Sequence, residues 1–170
     1  MRGENDFNRY LTMQIRKLGT SVKAFKMSDR FHIGASDWMI YHGGRAVALE
    51  AKYVREEDRK KVVLKYKITG PQLTFMKSMA LAGVPGFFII GVQDTKRMYL
   101  VPAEEVDHTG QLHWDVLFDT SSKTVWFHIS EVAEMVTYLF GEIDCGKGSH
   151  DEVAEDRRVG DPRTVLQSDQ

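Results

Sequence analysis

Cysteine is nearly absent from this 170-residue chain, and so are long hydrophobic runs and any excess of one charge. The single cysteine, Cys145, excludes an intramolecular disulfide and a cysteine-built zinc site. No stretch of eighteen apolar residues occurs, so no membrane span is expected. The opening residues, MRGENDFNRY, lack the apolar segment of a secretory signal, and the expected compartment is the cytoplasm. The histidines form no His-x-x-x-His pair and no Cys–His spacing, which removes the usual zinc patterns. What remains suits one domain, because 42% hydrophobic residues are enough to fill a single core at this length.

The formal net charge of −1 hides an uneven distribution. Residues 142–170 carry eight acids and four bases, leaving 19 bases and 16 acids in residues 1–141. The stretch 52–67 is more basic still, with Lys52, Arg55, Arg59, Lys60, Lys61, Lys65 and Lys67 against Glu56, Glu57 and Asp58. Such a cluster reads either as a solvated loop or as a surface for phosphates.

Residues 4–17 and Leu18 place Phe7, Tyr10, Leu11, Ile15 and Leu18 at near-helical spacing, with Gly19 as a stop. Two β-rich runs, 31–41 and 45–53, flank Gly43-Gly44, a hairpin signal. The polar segment 54–67 reads as a loop or frayed element ends. Thr69 and Gln72 have capping-box spacing and Pro71 suits a first turn, so a second helix opens there and ends at Gly83. Its apolar side is Leu73, Met76, Met79 and Ala80. Gly86–Val92 is a continuous apolar run, the pattern of a strand covered on both faces. Arg97–Val101 and Thr124–Phe127 read as further strands, Leu112–Phe118 as a weaker one, and Ser130–Phe140 as a last helix. The fold class expected is α/β, a mixed sheet flanked by helices, over residues 1–141. Residues 142–170 have no apolar periodicity and read as an acidic, disordered tail.

Three residues carry the chemistry: Asp37 in GASDWMI, and Glu50 and Lys52 in LEAKY. Side chains two apart on a strand share a face, so Glu50 and Lys52 emerge together. The Gly43-Gly44 turn folds Asp37 back toward the same end of the hairpin. Two converging carboxylates make a hard-oxygen site suited to Mg²⁺, with Mn²⁺ as a substitute, completed by water and a substrate phosphate. Lys52 beside it can orient water or donate to a phosphate oxygen. The plainer alternative is a strand with Leu49 and Ala51 inward and Glu50 and Lys52 solvated.

Gly34, Ser36-Asp37, about a dozen residues containing the hairpin turn, and then Leu49-Glu50-Ala51-Lys52 resemble the PD-(D/E)XK nuclease superfamily. Gly34 stands one position further from the aspartate than in that pattern, and Ser36 replaces the usual proline. Within the superfamily the likeness is to RecU-type Holliday junction resolvases and their phage relatives. The segment Arg2–Arg9 resembles their N-terminal helix, in which asparagine follows glutamate by four residues. Gly70–Lys77 resembles their H-Q-x-x-x-[LM]-K segment, with Pro71 in place of histidine, and Gly83–Ile90 their glycine-led buried strand. The likeness spans residues 2–101.

The resemblance implies Asp37 and Glu50 as metal ligands and Lys52 as the catalytic lysine. It implies Glu4 as an extra acid beside the metal and Gln72 as an auxiliary group near the nucleophile or scissile phosphate. It further implies Mg²⁺-dependent cleavage of branched DNA, a four-way junction above all, by a homodimer, in a bacterial cell or a phage-infected host. A restriction-like, flap-cutting or end-processing nuclease stays open, as does an inactive DNA-binding protein on the same fold. The resolvases' junction-gripping stalk has no match here unless it is 54–67. Gln72 is equally readable as the capping partner of Thr69, and Glu4 as a first-turn acid favoured by the helix dipole.

Gly141-x4-Gly146-Lys147 approaches a phosphate-binding loop, but Gly148 stands where Ser or Thr should, and a helix precedes it. His32 and His42 flank the expected site and read as partly buried structural groups. Trp38, Trp114 and Trp126 read as core, and Cys145 as a tail residue.

Overall fold

The computed structural model describes residues 3–27, 36–55, 63–64, 68–93, 95–106, 112–113 and 123–145. Arg2, His32, Gly34, Arg59, Lys60, Lys61, Lys65, Lys67 and Trp114 lie outside the described residues. So do residues 31–35 and 114–118 of two expected strands, most of 54–67, and residues 146–170 of the expected tail.

Helix α1 (Glu4–Arg16) buries Phe7, Leu11 and Ile15, one residue per turn on a single stripe. The chain leaves it through Gly19 at φ +82, and strand β1 (Lys23–Lys26) follows in a stretch where the sequence signalled no element. Strands β2 (Trp38–His42) and β3 (Arg45–Val54) form the expected hairpin. Gly43 and Gly44 turn it with φ +57 and +76, the two positive values that a two-residue type I′ turn requires. After the short β4 (Val63–Leu64), helix α2 (Gly70–Leu81) begins at Thr69, where both bonds of the capping box form.

Strand β5 (Gly86–Val92) then pairs parallel with β3, from Ala48↔Gly86 to Val54↔Val92. Strands β6 (Arg97–Pro102) and β8 (Val125–His128) continue the sheet antiparallel, with a 3-10 turn (Ala103–Glu105) and β7 (Leu112–His113) between them. Helix α3 (Val132–Cys145) ends the described chain. The main sheet has the order β1-β2-β3-β5-β6-β8, and β4 pairs with β7 in a separate ribbon. The fold is α/β, with a six-stranded mixed sheet between helices.

Each sheet face supports its own core. One face meets α1 and α3 through Phe7, Leu11, Trp38, Leu49, Ala51, Met135 and Leu139. The other meets α2 through Met39, Ala48, Leu73, Met76, Phe88 and Ile90. β5 lies between the two, which is why it reads as an unbroken apolar run. Gly91 on β5 is a point of close approach: a Cβ there would stand 2.8 Å from the ring of Phe7.

Two expectations need correction. Ala80 is exposed, because the buried stripe of α2 is Leu73 and Met76 with Met79 only partly covered. Apolar spacing alone could not say how far that stripe extended. The last helix runs from Val132 to Cys145 and passes through Gly141. A glycine inside a helix costs only about 1 kcal/mol, which the burial of Val132, Met135, Val136, Leu139 and Phe140 offsets. Cys145 is therefore the last described helical residue, and residues 146–170 lie outside the described residues. Of the tryptophans read as core, Trp38 is fully buried, and Trp126 is half-buried against the core on the α2 face, with the Arg97 guanidinium 4.4 Å over its ring.

Candidate metal and phosphate site

The site forms where the open end of the β2–β3 hairpin meets the N-terminus of α2. Trp38 pairs with Leu49, so Asp37 stands across from Glu50 one step beyond the last pair. Backbone amides of the opposite strand fix both carboxylates. The Asp37 N–H donates to Glu50 Oε2 at 3.0 Å, and the Ala51 N–H donates to Asp37 Oδ2 at 3.0 Å. Ser36 is buried, and its hydroxyl donates to the Trp38 carbonyl at 3.2 Å, which holds the approach to Asp37.

Glu50 and Lys52 share the sheet face that carries α2, and Lys52 Nζ donates to Glu50 Oε1 at 2.7 Å. Neither is solvated: Glu50 is 3% and Lys52 5% exposed. That excludes the reading of this pair as an outward, water-facing side of the strand. Burying a carboxylate and an ammonium is costly unless each is paired and hydrogen-bonded. Here a central position between β2 and β5, not an edge, imposes that burial.

Gln72 reaches the same carboxylate. Its Nε2 donates to Glu50 Oε1, while its Oε1 accepts from the Thr69 N–H at 3.0 Å. One amide closes the helix cap and orients the buried glutamate, so the two sequence readings of Gln72 coexist. Glu4, at the start of α1, places Oε1 3.9 Å from Lys52 Nζ with about half of its side chain exposed. Arg55 is exposed one residue past β3, near Gly3 at the start of α1. His42 does not flank this cluster. It is exposed at the far end of β2, with Nδ1 3.1 Å from the Ser21 carbonyl.

Burial, and then the neighbouring Asp37 carboxylate, push the Glu50 carboxyl up from 4.5 to about 7, against the pull of Lys52. Two carboxylates held this close, one of them buried, disfavour their joint ionisation, and an added cation between them would relieve that. Among the described residues no group of three or more His, Cys, Asp and Glu side chains forms that could hold a metal. A donor set of two carboxylates does not make a closed zinc site. It does fit Mg²⁺, which takes one or two carboxylates and keeps its other positions for water and substrate phosphate.

No family model and no curated protein matches the sequence. The fold does match solved structures. Among them is Hjc of Archaeoglobus fulgidus, a Holliday junction resolvase from an archaeal hyperthermophile. The match has a TM-score of 0.52 at 15% identity and covers 76% of this chain and 98% of that one. At that identity the likeness is one of architecture. Among the described residues no helix is long and apolar enough to cross a membrane.

Sequence reasoning did not find the two backbone bonds that lock the carboxylates, which depend on strand register. It also missed β1, whose four residues are all exposed and give no burial alternation.

Proposed function

We propose that the chain is a metal-dependent DNA endonuclease of the PD-(D/E)XK type acting on branched DNA, a Holliday junction resolvase in recombination, repair or phage DNA processing. The observation that carries this reading is the convergence of half-buried Asp37 with buried Glu50 and Lys52, with Glu50 hydrogen-bonded to Asp37, Lys52 and Gln72. The architecture it shares with Hjc supports it independently.

In this reading Asp37 and Glu50 hold Mg²⁺ or Mn²⁺. The ion, when bound, lowers the pKa of water and offsets charge on the phosphate in the transition state. Lys52 Nζ, anchored on Glu50, holds the attacking water in line and donates to a phosphate oxygen. Gln72 keeps the Glu50 carboxylate from rotating, and Glu4, 3.9 Å from Lys52 Nζ, helps direct that ammonium at the site. The positive end of the α2 dipole lies beside Gln72 and favours a phosphate there, although the capping box and Pro71 leave few amides of the first turn to donate. Resolution of a four-way junction needs two cuts and one domain carries one site, so the active form is a twofold homodimer. The basic segment with Arg55, Arg59, Lys60, Lys61, Lys65 and Lys67 contacts phosphates, and binding weakens steeply with salt.

A Mg²⁺-dependent incision assay comparing a four-way junction, a flap and a linear duplex tests the substrate. Paired symmetric nicks in the junction support a resolvase. Preference for the flap or the duplex moves the assignment to another nuclease of the same kind. No incision of any DNA leaves a binding protein on a nuclease fold.

A further inference from the structure

Among the described residues, five large hydrophobic side chains lie well exposed: Met13, Phe25, Met27, Tyr41 and Leu81. Three of them gather on one face of the sheet beside the candidate site. Lys23 pairs with Tyr41 and Phe25 with Met39. The Met27 N–H donates to the Asp37 carbonyl at 2.9 Å, which extends the ladder one step. Directly opposed residues of an antiparallel pair point to the same side. Lys23, Phe25 and Met27 therefore project on the same face as Asp37, Met39 and Tyr41, which is the face of Glu50 and Lys52. Phe25 is 58% and Tyr41 42% exposed, and their rings meet edge to face with centroids 5.7 Å apart.

We propose that Phe25 and Tyr41, with Lys23 beside them, form a stacking platform for unpaired bases of the DNA strand held at Asp37 and Glu50. This deepens the nuclease reading and rests on it. Phe25 is a diagonal neighbour of Asp37 across β1 and β2, about 7–8 Å away between backbones. At roughly 3.4 Å per nucleotide of one strand, that is about two nucleotides from the cut. Exposed aromatic rings next to a lysine match a polyanion that also carries flat π faces. Bases stacked inside a duplex have no free face to offer, so the platform selects DNA with unpaired nucleotides at the branch. Self-pairing of the β1 edge is the competing use of this surface. A strand of four residues with lysines at both ends is the kind of edge that discourages it.

The test is DNA binding by the full chain, followed by anisotropy in Ca²⁺ without Mg²⁺. The probes are a duplex with a two-thymidine gap, the same gap with abasic spacers, and an intact duplex. Wild-type protein is expected to prefer the thymidine gap by about tenfold over the abasic one. Phe25→Leu, which keeps an apolar group but removes the ring, abolishes that preference and leaves duplex affinity within about twofold; Phe25→Trp restores it. Equal binding to the thymidine and abasic gaps, or an unchanged preference in Phe25→Leu, overturns the platform. A change of oligomeric state in Phe25→Leu also overturns it and makes the patch a contact between copies. Cleavage with Mg²⁺, scored separately, distinguishes the two claims. Incision without a Phe25 effect sinks the platform alone, whereas a Phe25-dependent preference without incision sinks only the nuclease reading.

Discussion

Asp37 and Glu50 hold one another in place through the backbone: the amide of Asp37 binds the Glu50 carboxylate, and the amide after Glu50 binds the Asp37 carboxylate. This reciprocal arrangement fixes the spacing of two negative groups before any ligand arrives. Burial, and then the nearby Asp37 carboxylate, still leave Glu50 resisting ionisation, and that resistance generates the first prediction.

Stability in the presence of EDTA should fall between pH 5 and pH 8. The Glu50 carboxyl titrates near 7 in the folded chain and near 4.5 when unfolded. A raised carboxyl means that the native state keeps its proton longer. The contribution is therefore fully present below pH 4.5 and lost as pH rises through 7. The loss is about 3 kcal/mol. Glu50→Gln should show a flatter profile and exceed wild type in Tm at pH 8. A wild-type profile that parallels the variant contradicts this.

Lys52→Met should reduce cleavage by at least about a hundredfold while costing little stability at pH 6, where Glu50 is already mostly protonated and stays so without its ammonium partner. Single-turnover incision and thermal melts measure the two effects. Lys52→Arg keeps the charge but not the compact ammonium geometry, and should also stay well below wild type.

Substitutions at the α2 cap should separate its two duties. Thr69→Ala removes a cap bond, costs about 1 kcal/mol of stability and leaves most cleavage intact. Gln72→Glu preserves an acceptor for the Thr69 N–H but sets a second carboxylate against Glu50, so cleavage falls much more than Tm. Equal effects in the two variants would reduce Gln72 to a helix cap.

Gly91→Ala should destabilise the chain by about 1–3 kcal/mol, the usual range for overpacking a filled core, because the new methyl would meet the Phe7 ring. Phe7→Leu in the same chain should recover part of that loss. Simple additivity in thermal or urea melts would show that α1 does not pack there as described.

Much of this architecture was legible in the residues. Gly43-Gly44 announced the hairpin, and the two-residue period brought Glu50 and Lys52 to one side. Thr69 with Gln72 marked the start of α2. What stayed hidden was non-local. Burial of Glu50 and Lys52 requires β5 to lie parallel beside β3, a pairing across nearly forty residues that local pattern does not encode. The bond from Gln72 to Glu50 depends on where α2 sits on the sheet. Helix α3 overran its apparent stop because Gly141 adopts no positive φ there, and only the packing of the preceding turns decides that.

The most direct test of the site is incision of a synthetic four-way junction in Mg²⁺ by wild-type protein and Asp37→Asn. Wild type should nick opposing strands symmetrically, and the variant should bind the junction at least as tightly yet leave it uncut. Undiminished incision by Asp37→Asn would contradict the account at its centre.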